Sequence, residues 1–159
     1  EEIPAQDISA SIVSSTKIRH ALLNGEVHLA GEYLGTAYVL RGKVEEGLQQ
    51  GTTIGYPTAN IRVNSSYKLI PKNGVYAVWV YIDEKKFEGM LNIGFNPTFD
   101  DKNWSVEVHL FDFNQNVYHK EITIAFVSRT RDEQEVDNLQ SLINQLKDDE
   151  KEIRAILEE

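Results

Sequence analysis

The sequence predicts a mainly β fold: a small antiparallel barrel of the Greek-key type, with a C-terminal amphipathic helix beside it and a short helical segment in front. Three observations predict it. The middle of the chain carries short runs rich in β-branched and aromatic residues, separated by turn signals. No helical pattern stands between those runs, which disfavours a parallel α/β sheet. The final stretch spaces Val136, Leu139, Leu142, Ile143, Leu146, Ile153 and Leu157 with the three- and four-residue intervals of an amphipathic helix.

Taken in order, residues 1–13 read as a linker or strand remnant. Ser14-Ser15-Thr16 offers helix N-caps before Ile18, Leu22 and Leu23, with Gly25 as a stop. A second short helix is expected over Val27–Leu34, ended by Gly35. Leu22, Leu23, Leu29 and Leu34 would form the apolar face of this pair. Strands are expected over Ala37–Val44, Gly74–Ile82, Phe87–Phe95, Trp104–Phe111 and Ile122–Val127. The run Val75 to Ile82 is almost continuously apolar, which predicts burial on both faces, with Tyr76, Trp79 and Tyr81 in the core. Asp83-Glu84-Lys85-Lys86 is the polar turn of a hairpin. Asp148-Asp149-Glu150-Lys151 interrupts the C-terminal helix pattern, as a break or a solvated turn.

Composition narrows the function classes. The 159 residues are 41% hydrophobic, ordinary for a globular chain. There is no cysteine, so disulfides and thiolate metal sites are excluded and a reducing, cytoplasmic setting is expected. No apolar run reaches the length of a membrane span, and no signal-peptide pattern opens the chain. The net charge of −9, from 16 Lys+Arg against 25 Asp+Glu, disfavours a nucleic-acid partner. It leaves room for a nucleotide ligand held by a local loop. The polar opening, Glu1 to Gln6, reads as the cut end of a longer chain.

Four segments could carry chemistry. Gly47, Gly51 and Gly55 punctuate the stretch GLQQGTTIGYPTAN, in which Thr52 and Thr53 add hydroxyls. Such a loop can present a nest of amides to an anion, although an irregular surface loop is the commoner outcome of glycine content alone. Pro57-Thr58-Ala59-Asn60 is a stiff turn whose Thr58 and Asn60 carry neutral oxygens of the kind magnesium accepts beside phosphates. Equally, both side chains could serve their own backbone. In Trp104–Phe111, strand alternation puts Glu107 and His109 on one face, where a carboxylate could take a proton from a hydroxyl or simply face solvent. Arg129-Thr130-Arg131-Asp132-Glu133 stands where the last strand meets the helix, and could cap it or hold a ligand. His20, His28 and His119 have no metal-ligand spacing.

In chain order, the Gly-rich loop, Pro57-Thr58-Ala59-Asn60, Pro71-x-x-Gly74-Val75-Tyr76-Ala77, Asn92-Ile93-Gly94-x-x-Pro97-Thr98, Val106-Glu107-Val108-His109 and Arg131-x-Glu133 resemble the riboflavin kinase family. Ser14-Ser15-Thr16-x-Ile18-Arg19 resembles the last motif of the FMN adenylyltransferase module that precedes the kinase in bacterial bifunctional FAD synthetases. The resemblance runs from about Val13 to about Ile156. It implies a barrel with a C-terminal helix, riboflavin and ATP as substrates, Mg2+ as cofactor and FMN as product. It implies that Thr58 and Asn60 hold magnesium and phosphate. It gives Gly47, Gly51, Thr53 and Gly55 to the nucleotide loop, where Gln49 and Gln50 stand in place of the family's frequent basic residue. Glu107 is the implied general base, and Arg131 with Glu133 closes over a flavin lying partly on the C-terminal helix. Residues 1–35 then read as linker and helical remnant of the adenylyltransferase module, and 36–159 as the kinase domain, without FAD synthesis by this chain alone. The competing expectations are a barrel that binds flavin or nucleotide without turnover, and an oligonucleotide-binding barrel that the charge disfavours.

Overall fold

The computed structural model describes residues 15–45, 55–64, 68–95 and 104–158. Six strands, β1 (Val39–Glu45), β2 (Ala59–Val63), β3 (Gly74–Ile82), β4 (Lys85–Phe95), β5 (Trp104–Leu110) and β6 (Glu121–Arg131), close into an antiparallel barrel in the order β1-β2-β5-β4-β3-β6. Helix α1 covers 15–23, α2 is Val27–Leu34 and α3 is Leu139–Leu157. The expected barrel is therefore present, with a helical segment at each end of the chain.

Alternation builds the interior. In β1, Leu40, Gly42 and Val44 are buried while Arg41, Lys43 and Glu45 face water. Tyr76, Val78, Val80 and Ile82 of β3 and Ile122, Ile124 and Phe126 of β6 fill the same cluster, with Leu91, Ile93, Val106 and Val108 opposite. Ala21, Leu22, Val27 and Ala30 of the helical pair join that cluster. The expected face of the pair is thus corrected: Leu22 is buried, whereas Leu23 and Leu34 are 49% and 43% exposed. Ala21 and Ala30 take buried positions instead, at 3% and 0% exposure.

A second cluster lies outside the barrel. Helix α3 lays Ile153 and Leu157 on Val75, Ala77, Met90 and Phe111, so β3 is buried on both faces over this part. The cover stops near Trp79, which is half-buried with the Lys86 ammonium 4.0 Å from its ring centroid. Tyr81 lies beyond it and is 39% exposed, so of the three aromatics expected inside only Tyr76 is fully buried.

Several boundaries shift. The hairpin between β3 and β4 needs only Asp83 and Glu84, both at positive φ (50° and 67°), as a two-residue primed turn demands. Helix α3 starts at Leu139, where the Asn138 side chain accepts from Ser141 N–H at 2.9 Å. It passes through Asp148–Lys151 without a break. Ala59 and Asn60, expected to belong to the turn that starts at Pro57, instead open β2 (Ala59–Val63).

Gly74 opens β3 at φ +147°, and a Cβ there would stand 2.7 Å from both Arg129 Nε and the Arg131 carbonyl oxygen. Gly74→Ala is expected to cost about 1–3 kcal/mol of stability. The check is a lowered urea midpoint at unchanged slope.

Candidate active site

Register assembles the site. Glu107 of β5 lies directly opposite Asn60 of β2 and Asn92 of β4. Directly opposed residues in antiparallel strands share a face. The row continues from Asn92 to Val75 and from Val75 to Arg131. Asn60, Glu107, Asn92, Val75 and Arg131 therefore form one belt on the outer surface, and the Val75 end of it runs under α3.

At one end of the belt, the Thr58 hydroxyl donates to Glu107 Oε1 at 3.4 Å. The preceding residues are anchored: His109 Nδ1 is 2.7 Å from the Pro57 carbonyl oxygen, and the buried Tyr56 donates to Glu150 Oε1 of α3 at 2.9 Å. Gly55 adopts φ +86° with open space around it, so the turn uses its freedom of conformation rather than its small size. Gly47, Gly51 and Thr53 lie outside the described residues.

At the other end, Arg131 is committed to its own structure. Its Nε and one terminal nitrogen donate to the two carboxylate oxygens of Asp149, at 2.9 and 2.8 Å, and the other donates to the Asp132 carbonyl at 2.9 Å. Asp149 is 1% exposed. Glu133 accepts from Asn73 Nδ2 at 3.2 Å. A Cβ on Gly94 would stand 3.3 Å from Glu133 Oε2 and 3.7 Å from Asn92 Nδ2, so both side chains reach the space above Gly94.

Electrostatics near the anchor follow from contacts. Burial, reinforced by the Glu150 carboxylate, pushes the Tyr56 phenol up to about 12, so it remains a donor. Arg154 donates to Asp112 at 3.0 and 3.2 Å and to Glu150 at 2.8 Å, and its guanidinium lies 4.5 Å from the Phe111 ring centroid. These bonds raise Arg154 further above its ordinary value and hold the exposed Asp112 carboxyl below its own. The described residues contain no group of three or more His, Cys, Asp or Glu that could hold a metal. The oxygens at this corner are instead a hydroxyl, amides and one carboxylate.

The sequence model of the riboflavin kinase family (flavokinase) matches residues 34–157. The chain belongs to the riboflavin kinase family. It is similar to the bifunctional riboflavin kinase/FMN adenylyltransferase of Bacillus subtilis, 43% identical over 88% of this chain and 45% of that protein. A solved structure from Streptococcus pneumoniae, described as a macrolide-efflux protein, shares 41% identity and a TM-score of 0.85 over 88% of this chain and 46% of that one. A riboflavin kinase from Trypanosoma brucei, 24% identical, agrees in fold with a TM-score of 0.57 over 76% of this chain and 77% of that one. The chain spans about half the length of the curated relatives it matches, and the matched half is their kinase module. Among the described residues no helix is long and apolar enough to cross a membrane.

Of the residues singled out in the sequence, Thr58, Asn60 and Glu107 come together, while Arg131 lies further along the belt, past Asn92, and the Glu133 side chain reaches the space above Gly94. Asn92 was visible only as part of a motif, because its place beside Glu107 depends on strand register. Asp149 had a readable signal: it stands at the inward spacing between Leu146 and Ile153, and a carboxylate inside an apolar stripe implies a buried cation partner. The Tyr56 contact with Glu150 spans 94 residues, and no local pattern announces it.

Proposed function

We propose that this chain transfers the γ-phosphoryl group of ATP to the 5′-hydroxyl of riboflavin, giving FMN and ADP. The observation that carries the reading is the Thr58 hydroxyl set against the Glu107 carboxylate in a domain of the riboflavin kinase family. Phosphoryl transfer depends on positioning and charge neutralisation more than on covalent chemistry by the protein. Glu107 orients the 5′-hydroxyl and takes its proton as the new O–P bond forms and the bond to ADP breaks. Asn60 and Asn92, opposite Glu107 on either side, bring side-chain amides that can both donate and accept beside it.

The donor set fits magnesium, which takes few protein oxygens and completes its shell with water and phosphate. Thr58 and Asn60 would hold it. When bound, the ion supplies positive charge to the phosphate oxygens. Gly55 and the preceding glycines, Gly47 and Gly51, with Thr53, are assigned to the nucleotide, and Arg131 with Glu133 to the flavin side. A linked adenylyltransferase module is proposed for the longer protein, with residues 1–35 leading out of it and 36–159 as the kinase domain. Cytoplasmic residence is proposed with it.

The test is to incubate the chain with riboflavin, ATP and Mg2+ and separate the flavins by chromatography. FMN should accumulate with ADP in equal amounts; flavin binding without FMN at any magnesium concentration would leave a binding barrel instead. Thr58→Ala should raise the magnesium needed for half-maximal rate by about tenfold, roughly 1.4 kcal/mol. An unchanged requirement removes Thr58 from the metal site.

A further inference from the structure

We infer that His109 and Tyr56 are positioning residues that hold the Pro57–Thr58 peptide against β5 and α3. The inference rests on the kinase reading, because it gives a reason for fixing Thr58. The Pro57 carbonyl belongs to the rigid peptide plane that carries the Thr58 N–H. A carbonyl oxygen can only accept, so His109 Nδ1, 2.7 Å away, carries the proton and donates. The imidazole is itself located: its ring packs edge-on against Tyr56 at 5.2 Å and against Phe111 at 5.6 Å between centroids.

Tyr56 transmits the anchorage to the helix. Its hydroxyl is held by Glu150, which Arg154 holds in turn, and Arg154 also grips Asp112 just after β5. Tyr56 and the Pro57 carbonyl are thereby tied to groups distant in sequence. Pro57 contributes a fixed φ but no N–H, so the turn itself has few means of holding its register. A misplacement of about 1 Å in a positioning group can cost 10²-fold in rate, so a tether of this kind matters at Thr58.

Two substitutions separate the hydrogen bond from the ring packing. His109→Phe keeps an aromatic ring on Tyr56 and Phe111 but cannot donate. His109→Asn gives up the ring but places an amide N–H about where Nδ1–H stands. Mg-ADP affinity by calorimetry, magnesium dependence of FMN formation and the melting midpoint are compared in the intact chain. His109→Phe should weaken Mg-ADP about tenfold and raise the magnesium requirement to match, with riboflavin KM within about twofold. His109→Asn should stay within about threefold of wild type in Mg-ADP affinity, even if it melts lower. The reverse ranking overturns the inference, as does a uniform fall of all parameters that follows the melting midpoint. A wild type that binds Mg-ADP but forms no FMN removes the kinase reading, and the calorimetric ranking of the two variants still decides this one. A wild type that turns over while His109→Phe matches it in magnesium dependence removes this inference alone. No Mg-ADP binding by wild type removes both.

Discussion

Replacing Glu107 by glutamine is expected to lower the rate of FMN formation by about 10²–10⁴-fold, the usual contribution of a positioned general base. Mg-ATP affinity should change by no more than about threefold, because the amide keeps the size and the acceptor oxygen of the carboxylate. Three features of the site support this separation. Glu107 sits mid-strand, paired to Asn60 on one side and Asn92 on the other, so its backbone is fixed whatever its side chain does. Its contact with the Thr58 hydroxyl is long, 3.4 Å, and is not a fold-holding bond. And Glu107 is only partly buried, so glutamine meets no large desolvation change. Steady-state kinetics with a parallel calorimetric titration of nucleotide decide the matter. Equal losses in turnover and in ATP affinity would make Glu107 a binding or structural group.

Much of the architecture was legible because it rests on local pattern. The alternation in β1, the apolar run of β3 and the spacing in α3 each need only a few neighbouring residues to be read. β2 was not legible. Ala59–Val63 follows a proline turn and is only five residues long; it is a strand because β1 and β5 pair with it on either side. The same limit governs the site. Glu107 could be placed on a face from alternation alone, but its neighbours Asn60 and Asn92 come from other strands and depend on barrel closure. The helical pair shows the converse failure. Its leucines look like a core face in isolation, yet Ala21, Leu22, Val27 and Ala30 join the barrel core while Leu23 and Leu34 are left outside.

Arg131→Met is expected to destabilise the fold by about 3–5 kcal/mol, the effect of removing one partner from a buried ion pair. Asp149 would keep the Gln145 amide, 3.0 Å away, but lose both guanidinium bonds while remaining 1% exposed. The pair ties the end of β6 to the middle of α3, so its loss should loosen the helix from Val75 and Ala77 as well. Arg131→Met combined with Asp149→Leu should recover most of that stability, because an apolar pair of similar volume removes the stranded charge. Denaturant titration of the two single variants and the double variant gives the coupling directly. A single variant within about 0.5 kcal/mol of wild type would show that water reaches Asp149 and that the pair behaves like a surface one. The double variant also separates anchorage from flavin contact. If Arg131 only fastens α3, riboflavin KM returns with stability. If its guanidinium also meets the flavin, stability returns and the raised KM persists, because methionine offers the ligand no donor in place of the lost N–H groups.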